Sequence, residues 1–222
     1  MSTSSTYNTY VETQDSTLIT IKLKTKNAGF CYPDSISKTI FTPNKPIASF
    51  SLSDTSNCAP FETNITNTSQ GAVSYNWNLG NTNSSSLFEP TALYQASLVK
   101  DTQYNISLIT TNWANCKDTV DLDVTVYPKP SVQFTMDKSA GCGPLGINFT
   151  NTSSPNDTGS IQIMSFDWDL GNGSKSSAIN SSGFYIASLI TDSIYTIKLT
   201  GITEHQCKDS IESLSMKLEI TM

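Results

Sequence analysis

The chain has 222 residues, a formal net charge of −6 and only 14% charged residues, and its thirteen basic residues are all Lys. Without Arg for bidentate phosphate or base-edge contacts, and with net negative charge, the composition argues strongly against nucleic acid or an anionic membrane surface as partner. No apolar run approaches the ~20 residues of a membrane-spanning helix, so no direct membrane insertion is expected.

Met1 to Thr6 lacks the basic and apolar regions of a signal peptide. Alternating apolar residues then predict a strand over Thr17 to Lys24 (Ile19, Ile21, Leu23) and another over Ser35 to Phe41, on either side of Cys31. The segment Thr42-Pro-Asn-Lys-Pro46 reads as a short stiff linker, because proline fixes φ and removes a donor. Beyond it Tyr75, Trp77 and Leu79 share one strand face, Tyr104, Ile106 and Leu108 share another, and a last strand covers Thr119 to Val126. A second linker, Tyr127-Pro-Lys-Pro130, follows. No segment has a 3.6-residue apolar period, and Ser, Thr and Asn fill the outward positions, as half-buried strands require.

The chain repeats itself. Lys45, Phe50, Cys58, Pro60 and Asn64-Ile-Thr-Asn-Thr-Ser69 recur 84 positions later as Lys129, Phe134, Cys142, Pro144 and Asn148-Phe-Thr-Asn-Thr-Ser153. Ser74-Tyr-Asn-Trp-Asn-Leu-Gly-Asn81 recurs 91 positions later as Ser165-Phe-Asp-Trp-Asp-Leu-Gly-Asn172, and the same offset relates Cys116-Lys-Asp118 to Cys207-Lys-Asp209. Ile19 to Leu23 and Cys31 lie 85 positions before Tyr104 to Leu108 and Cys116. The sequence therefore predicts three segments: 1–46, the back half of a repeat plus a linker, then whole repeats at 47–129 and 130–222. On this reading the chain is a fragment of something longer.

The run Phe166-Asp-Trp-Asp-Leu-Gly-Asn-Gly173 resembles the signature of polycystic-kidney-disease (PKD) domains, which are immunoglobulin-like sandwiches. Asn76, Asn78 and Asn81-Thr82 depart from the pattern in the earlier copy, where that family tends to have acids and Gly. The paired cysteines and the aromatic–Ala–Ser–Leu segments near Tyr94 and Tyr185 are similar to a variant found in very large surface adhesins of gliding bacteria. The resemblance implies an all-β fold of tandem antiparallel sandwiches. In it Trp77 and Trp168 lie in the cores beside Tyr75 and Phe166, and Gly80 and Gly171 turn the chain out of the strand.

Asp167 and Asp169 are spaced like an acid–base pair, yet the sister positions carry Asn76 and Asn78, which cannot titrate. What Asp and Asn share is a short acceptor that bonds nearby backbone and fixes turns, so the expected role is structural and no catalytic residue is expected. Asp167, Asp169 and Asn172 form a weak calcium candidate, since calcium takes six to eight oxygens; no cofactor is expected.

Cys58 with Cys116, and Cys142 with Cys207, bracket the two whole repeats in equivalent places, which suggests one disulfide per repeat and leaves Cys31 unpaired. Metal binding is the alternative, but there is no Cys-x-x-Cys and His205 is the single histidine. Disulfides imply export to an oxidising compartment, hence an extracellular, cell-surface location. His205 reads as a loop residue beside a disulfide. Trp113 is a candidate ligand contact for a sugar ring, although packing over a Cys58–Cys116 bridge is the stronger expectation.

The function expected is non-enzymatic: a spacer and adhesive surface in cell adhesion and gliding motility. Its partners would be neighbouring repeats and a surface polysaccharide or another cell-surface component. The alternative is an accessory or carbohydrate-binding module of a secreted hydrolase.

Overall fold

A computed structural model describes residues 17–24, 35–97, 100–156, 164–186, 188 and 193–219. Every regular element among them is a β-strand. The first two, β1 (Thr17–Lys24) and β2 (Ser35–Thr42), form an antiparallel two-stranded sheet. Eight strands follow: β3 (Phe50–Leu52), β4 (Ser56–Cys58), β5 (Phe61–Asn67), β6 (Ser74–Asn78), β7 (Ser84–Ser85), β8 (Thr91–Tyr94), β9 (Thr102–Thr111) and β10 (Lys117–Tyr127). Eight more run in the same order: β11 (Phe134–Met136), β12 (Ala140–Cys142), β13 (Leu145–Asn151), β14 (Ser165–Asp169), β15 (Lys175–Ser176), β16 (Ser181–Tyr185), β17 (Ser193–Ile202) and β18 (Lys208–Glu219).

The two sets of eight share one topology. The first makes a three-stranded sheet, β3-β5-β8, and a five-stranded sheet, β4-β10-β9-β6-β7; the second makes β11-β13-β16 and β12-β18-β17-β14-β15. This is the immunoglobulin-like sandwich pattern. Each five-stranded sheet contains one short parallel pair, β4 with the end of β10 and β12 with the end of β18, while β6 pairs antiparallel with β7 and β9, and β17 antiparallel with β14 and β18.

Alternation explains the layering. In β5 the pattern of buried and exposed residues is strictly period two, burying Phe61, Thr63, Ile65 and Asn67 while Glu62, Asn64 and Thr66 face out. In β9 the buried set is Ile106, Leu108 and Thr110, and in β17 it is Ile197, Leu199 and Gly201.

By contacts the chain divides into two compact units. One takes Met1–Ser51, Ile65–Pro90 and Ile106–Asp121; its buried apolar residues are Ala48, Phe50, Ile65, Trp77, Leu79, Ile106 and Leu108. The other takes Leu52–Asn64, Thr91–Asn105 and Leu122–Met222. Within it Val132, Ile147, Phe149, Trp168, Leu170, Tyr185, Ile197 and Leu199 form one continuous core, with Phe134, Phe166 and Tyr195 packed against it.

The β1–β2 hairpin carries the right alternation but exposes it. Ile21 is 54% exposed, Leu23 62%, Ile36 61% and Ile40 49%. With Lys38 and Thr39 these four line an apolar cleft of about 280 Å³. The residues at matching positions in the next set, Ile106 and Leu108, are fully buried. A two-stranded hairpin with an uncovered face is marginal in water, so amides of residues 17–24 and 35–42 should exchange hydrogen many-fold faster than those of β6, β9, β14 and β17. Segment-resolved hydrogen exchange on dilute protein checks this; equal protection would mean that the hairpin is independently stable.

Candidate functional site

The motif strands β6 and β14 hold their tryptophans in the same way. Trp77 and Trp168 are both fully buried. The Trp77 indole N–H donates to the Leu87 carbonyl at 2.9 Å, and that of Trp168 to the Ala178 carbonyl at 2.9 Å. Phe50 meets Trp77 edge-on at 5.0 Å between ring centroids, and Phe134 meets Trp168 edge-on at 5.2 Å. Each indole thus has a partner for its one donor and apolar rings around the rest, as a buried Trp requires. The preceding aromatics sit higher: Tyr75 and Phe166 are half-buried, Tyr75 packing edge-on against Phe88 at 5.2 Å.

The Gly after each strand turns the chain. Gly80 and Gly171 have φ of 76° and 69°, the left-handed region that a side chain disfavours. A Cβ on Gly171 would also lie 2.3 Å from the Thr196 carbonyl oxygen. Asp169 Oδ1 accepts from the Gly171 amide at 3.1 Å, and Asn78 Oδ1 accepts from the Gly80 amide at 3.0 Å. Acid and amide therefore do the same work, which needs an acceptor and no charge. Asn172 Oδ1 takes the Ser174 amide at 3.0 Å, while its Nδ2 donates to the Phe184 carbonyl at 3.0 Å. Among the described residues no three His, Cys, Asp or Glu side chains group as a metal site. Asp167 projects from the exposed face of β14.

A tyrosine closes the motif turn of the second set. Tyr185, fully buried, donates its hydroxyl to the Leu170 carbonyl at 2.9 Å. Burial, with a smaller contribution from Tyr195, pushes its pKa up to about 12, and burial with Tyr104 does the same for Tyr94. An unfolded Tyr ionises near 10. The neutral form is therefore favoured in the fold; its stabilisation is complete below about pH 10 and is lost as pH rises towards 12, by about 1.4 kcal/mol per unit for each group. Denaturant titrations across this range should show falling stability, with two tyrosines ionising only as the protein unfolds. Stability that stays level up to pH 12 would contradict the assignment.

The cysteines are arranged differently from the sequence expectation. Cys58 bonds Cys207, across 149 residues, with S–S 2.06 Å; Cys116 and Cys142 are free. Pairing Cys58 with Cys116 and Cys142 with Cys207 is thus corrected, and the reason is strand length. Cys207 immediately precedes β18, whereas Cys142 stands level with Glu219 at its far end. Twelve residues of strand span about 40 Å, and a disulfide needs Cα atoms within about 7 Å. Likewise Cys116 immediately precedes β10, and Cys58 stands level with Tyr127 at its end. Equivalent cysteines bracket a repeat in sequence but sit at opposite ends of its longest strand.

Both bonded cysteines belong to the same compact unit. Beside them His205 stacks on Tyr127, with centroids 3.7 Å apart and planes 7° from parallel. The sulfurs of Cys58 and Cys207 lie 3.9 Å and 4.0 Å from the His205 carbonyl oxygen, and the ring stacking on Tyr127 is a contact the sequence did not announce. Trp113 has no Cys58–Cys116 bridge to cover. It stacks on Phe41, at 5.8 Å and 15°, and remains 66% exposed. Cys31 lies outside the described residues.

No protein-family model matches the chain, and no curated protein does. Among solved structures it is similar to the PKD1 domain of the Vibrio cholerae metalloprotease PrtV, at 28% identity over 37% of this chain and 96% of that one, with a TM-score of 0.31. The PKD1 domain of Vibrio anguillarum Epp matches at 26% identity over 37% and 94%, with a TM-score of 0.31. Fibronectin(III)-like modules of Clostridium thermocellum CbhA match at 16% identity over 78% and 94%, with a TM-score of 0.36.

Proposed function

We propose that the chain is a run of extracellular, non-enzymatic PKD-like repeats, divided at 47–129 and 130–222 behind a partial repeat. On this reading it serves a surface adhesin as spacer and adhesive face, in cell adhesion and gliding motility. The observation that carries this is where the motif residues go. Trp77 and Trp168 are spent in cores, and Asn78 and Asp169 on backbone amides of their own turns. The signature residues therefore build structure. The Cys58–Cys207 disulfide supports an oxidising, extracellular setting. The resemblance of the cysteine-bearing repeats to those of gliding-bacterial adhesins supports the adhesive role.

Antibodies raised against residues 47–219 should label intact, unpermeabilised cells and reduce their attachment to surfaces. Labelling only after permeabilisation, or labelling with no effect on attachment, would sink the reading. Recovery of these residues joined to a catalytic domain in culture fluid would favour the hydrolase-module alternative. Affinity for a surface polysaccharide that disappears in Trp113→Ala would favour a carbohydrate-binding role.

A further inference from the structure

The one disulfide formed and the two cysteines left over obey a single rule. Cys58 ends a three-residue strand held in parallel against the end of the long last strand of its own set: Thr125↔Ser56, Val126↔Asn57, Tyr127↔Cys58. Cys142 is held in the same manner: Lys217↔Ala140, Leu218↔Gly141, Glu219↔Cys142. Each is followed two residues on by proline, Pro60 and Pro144.

The other bonded partner, Cys207, is presented by a tight turn. The Thr203 amide donates to the Cys207 carbonyl at 2.9 Å, Gln206 has φ 63°, and the Cys207 amide donates to Thr203 Oγ1 at 3.2 Å. Cys116 is presented identically. The Asn112 amide donates to the Cys116 carbonyl at 3.0 Å, Asn115 has φ 63°, and the Cys116 amide donates to Asn112 Oδ1 at 2.9 Å. The structure therefore holds two copies of each half of the bond, and one of each is used.

The turn bearing Cys116 also has a seat beside it. Phe41, at the end of β2, stacks on Trp113, and Asn112 Nδ2 donates to the Asn44 carbonyl at 2.6 Å. These contacts bring the end of β2 to the Cys116 turn. Pro33 adds one residue, so beyond it the offset is 84, as between Lys45 and Lys129. Phe41 and Thr42 at the end of β2, with Pro43 after them, therefore correspond to Thr125 to Tyr127 of β10, the three residues that pair with β4. Among the described residues the β1–β2 sheet has no third strand.

We propose that the disulfides run between consecutive repeats as a ladder. The Cys-x-Pro cysteine of each repeat bonds the late-turn cysteine of the next. Cys116 is then the attachment point for a short strand ending in Cys-x-Pro, docked in parallel on the end of β2 and supplied by the preceding repeat. Cys142 is the corresponding donor towards the late turn of the following repeat. Each rung forms by ordinary exchange. A cysteine thiolate attacks a small-molecule disulfide such as oxidised glutathione and releases one reduced thiol. The second cysteine thiolate attacks the protein side of the resulting mixed disulfide and releases the other half as a second reduced thiol. The two protons lost by the cysteines end on the two released thiols, and the small-molecule disulfide is the oxidant.

This rests on reading the chain as part of an array. The test is peptide mapping, without reduction, of the whole protein as its cells export it. Cys116 and Cys142 should each be linked, in more than nine-tenths of molecules, to peptides from outside residues 1–222, with a Cys-x-Pro sequence opposite Cys116; a Cys31–Cys116 link would overturn the proposal. Free thiols at both, a Cys116–Cys142 link, or Cys58–Cys116 with Cys142–Cys207 would overturn it. A whole protein with many repeats whose cysteines pair otherwise defeats the ladder alone. A whole protein without further repeats defeats the array reading, and the ladder with it. As a second measurement on the present chain with Cys31→Ser, a synthetic peptide of residues 53–60 in glutathione buffer should be captured at Cys116 at least tenfold better than at Cys142. It should also be captured tenfold better than a peptide with the cysteine moved by two positions. Equal capture would mean two ordinary surface thiols.

Discussion

Cys58→Ser is expected to cost the protein about 5 kcal/mol, the chain-entropy value for a closed loop of 149 residues. In the oxidised protein the bond ties the end of β4 to the turn before β18, so its loss frees both from each other while the core of residues 132–199 keeps its contacts. The wild-type protein in reductant should match the variant, and the variant should be indifferent to reductant. Denaturant unfolding with and without reductant measures the difference. The same samples give a sharper check: in Cys58→Ser, Cys207 should become alkylatable and should not move to Cys142, because β18 holds those two residues about 40 Å apart. Unchanged stability, or a Cys142–Cys207 bond in the variant, would contradict the geometry.

Trp168→Ala should be comparably damaging, at about 3–5 kcal/mol. The side chain is fully buried and touches Phe134 and Phe149, with ring centroids at 5.2 Å and 5.8 Å. Its removal leaves a cavity in the one continuous core of residues 132–199, and it strands the Ala178 carbonyl that the indole had satisfied. Trp168→Phe separates the two losses, keeping most of the apolar contact and forfeiting the hydrogen bond, so it should cost about 1–3 kcal/mol. Fluorescence offers an internal control, since Trp77 lies in the other compact unit and should keep its buried emission when Trp168 is replaced. A Trp168→Ala protein as stable as the parent would mean that the core does not depend on its motif residue.

Much of the fold was legible because its signals are local. Alternation over Ile19, Ile21 and Leu23 and over Ser35 to Phe41 placed β1 and β2, and the spacing of Tyr104, Ile106 and Leu108 placed β9. The interchange of Asn78 and Asp169 marked a turn acceptor, and the hydrogen bonds to Gly80 and Gly171 are of that kind. The disulfide was not legible. Sequence equivalence says that Cys58 matches Cys142, and Cys116 matches Cys207, but not which end of a sheet each occupies. That is set by β4 and β12, three residues each and too short for any period, whose parallel pairing carries Cys58 and Cys142 to the ends of β10 and β18. The expected packing of Trp113 over a Cys58–Cys116 bridge failed for the same reason: with the bridge elsewhere, its ring stacks on Phe41, 72 positions away in sequence and brought near only by folding.

The placement of that one bond also decides how the molecule would respond to being pulled. Tension applied at the two ends travels along the backbone to Cys58, crosses the sulfur atoms, and leaves along the backbone from Cys207. Everything between them, including both motif tryptophans, is out of the line of load. A fully extended chain of that length would reach roughly 500 Å, and none of it can be drawn out while the bond is intact. Oxidised, the molecule is close to inextensible over this stretch; reduced, the same stretch becomes a reserve of length that can yield strand by strand.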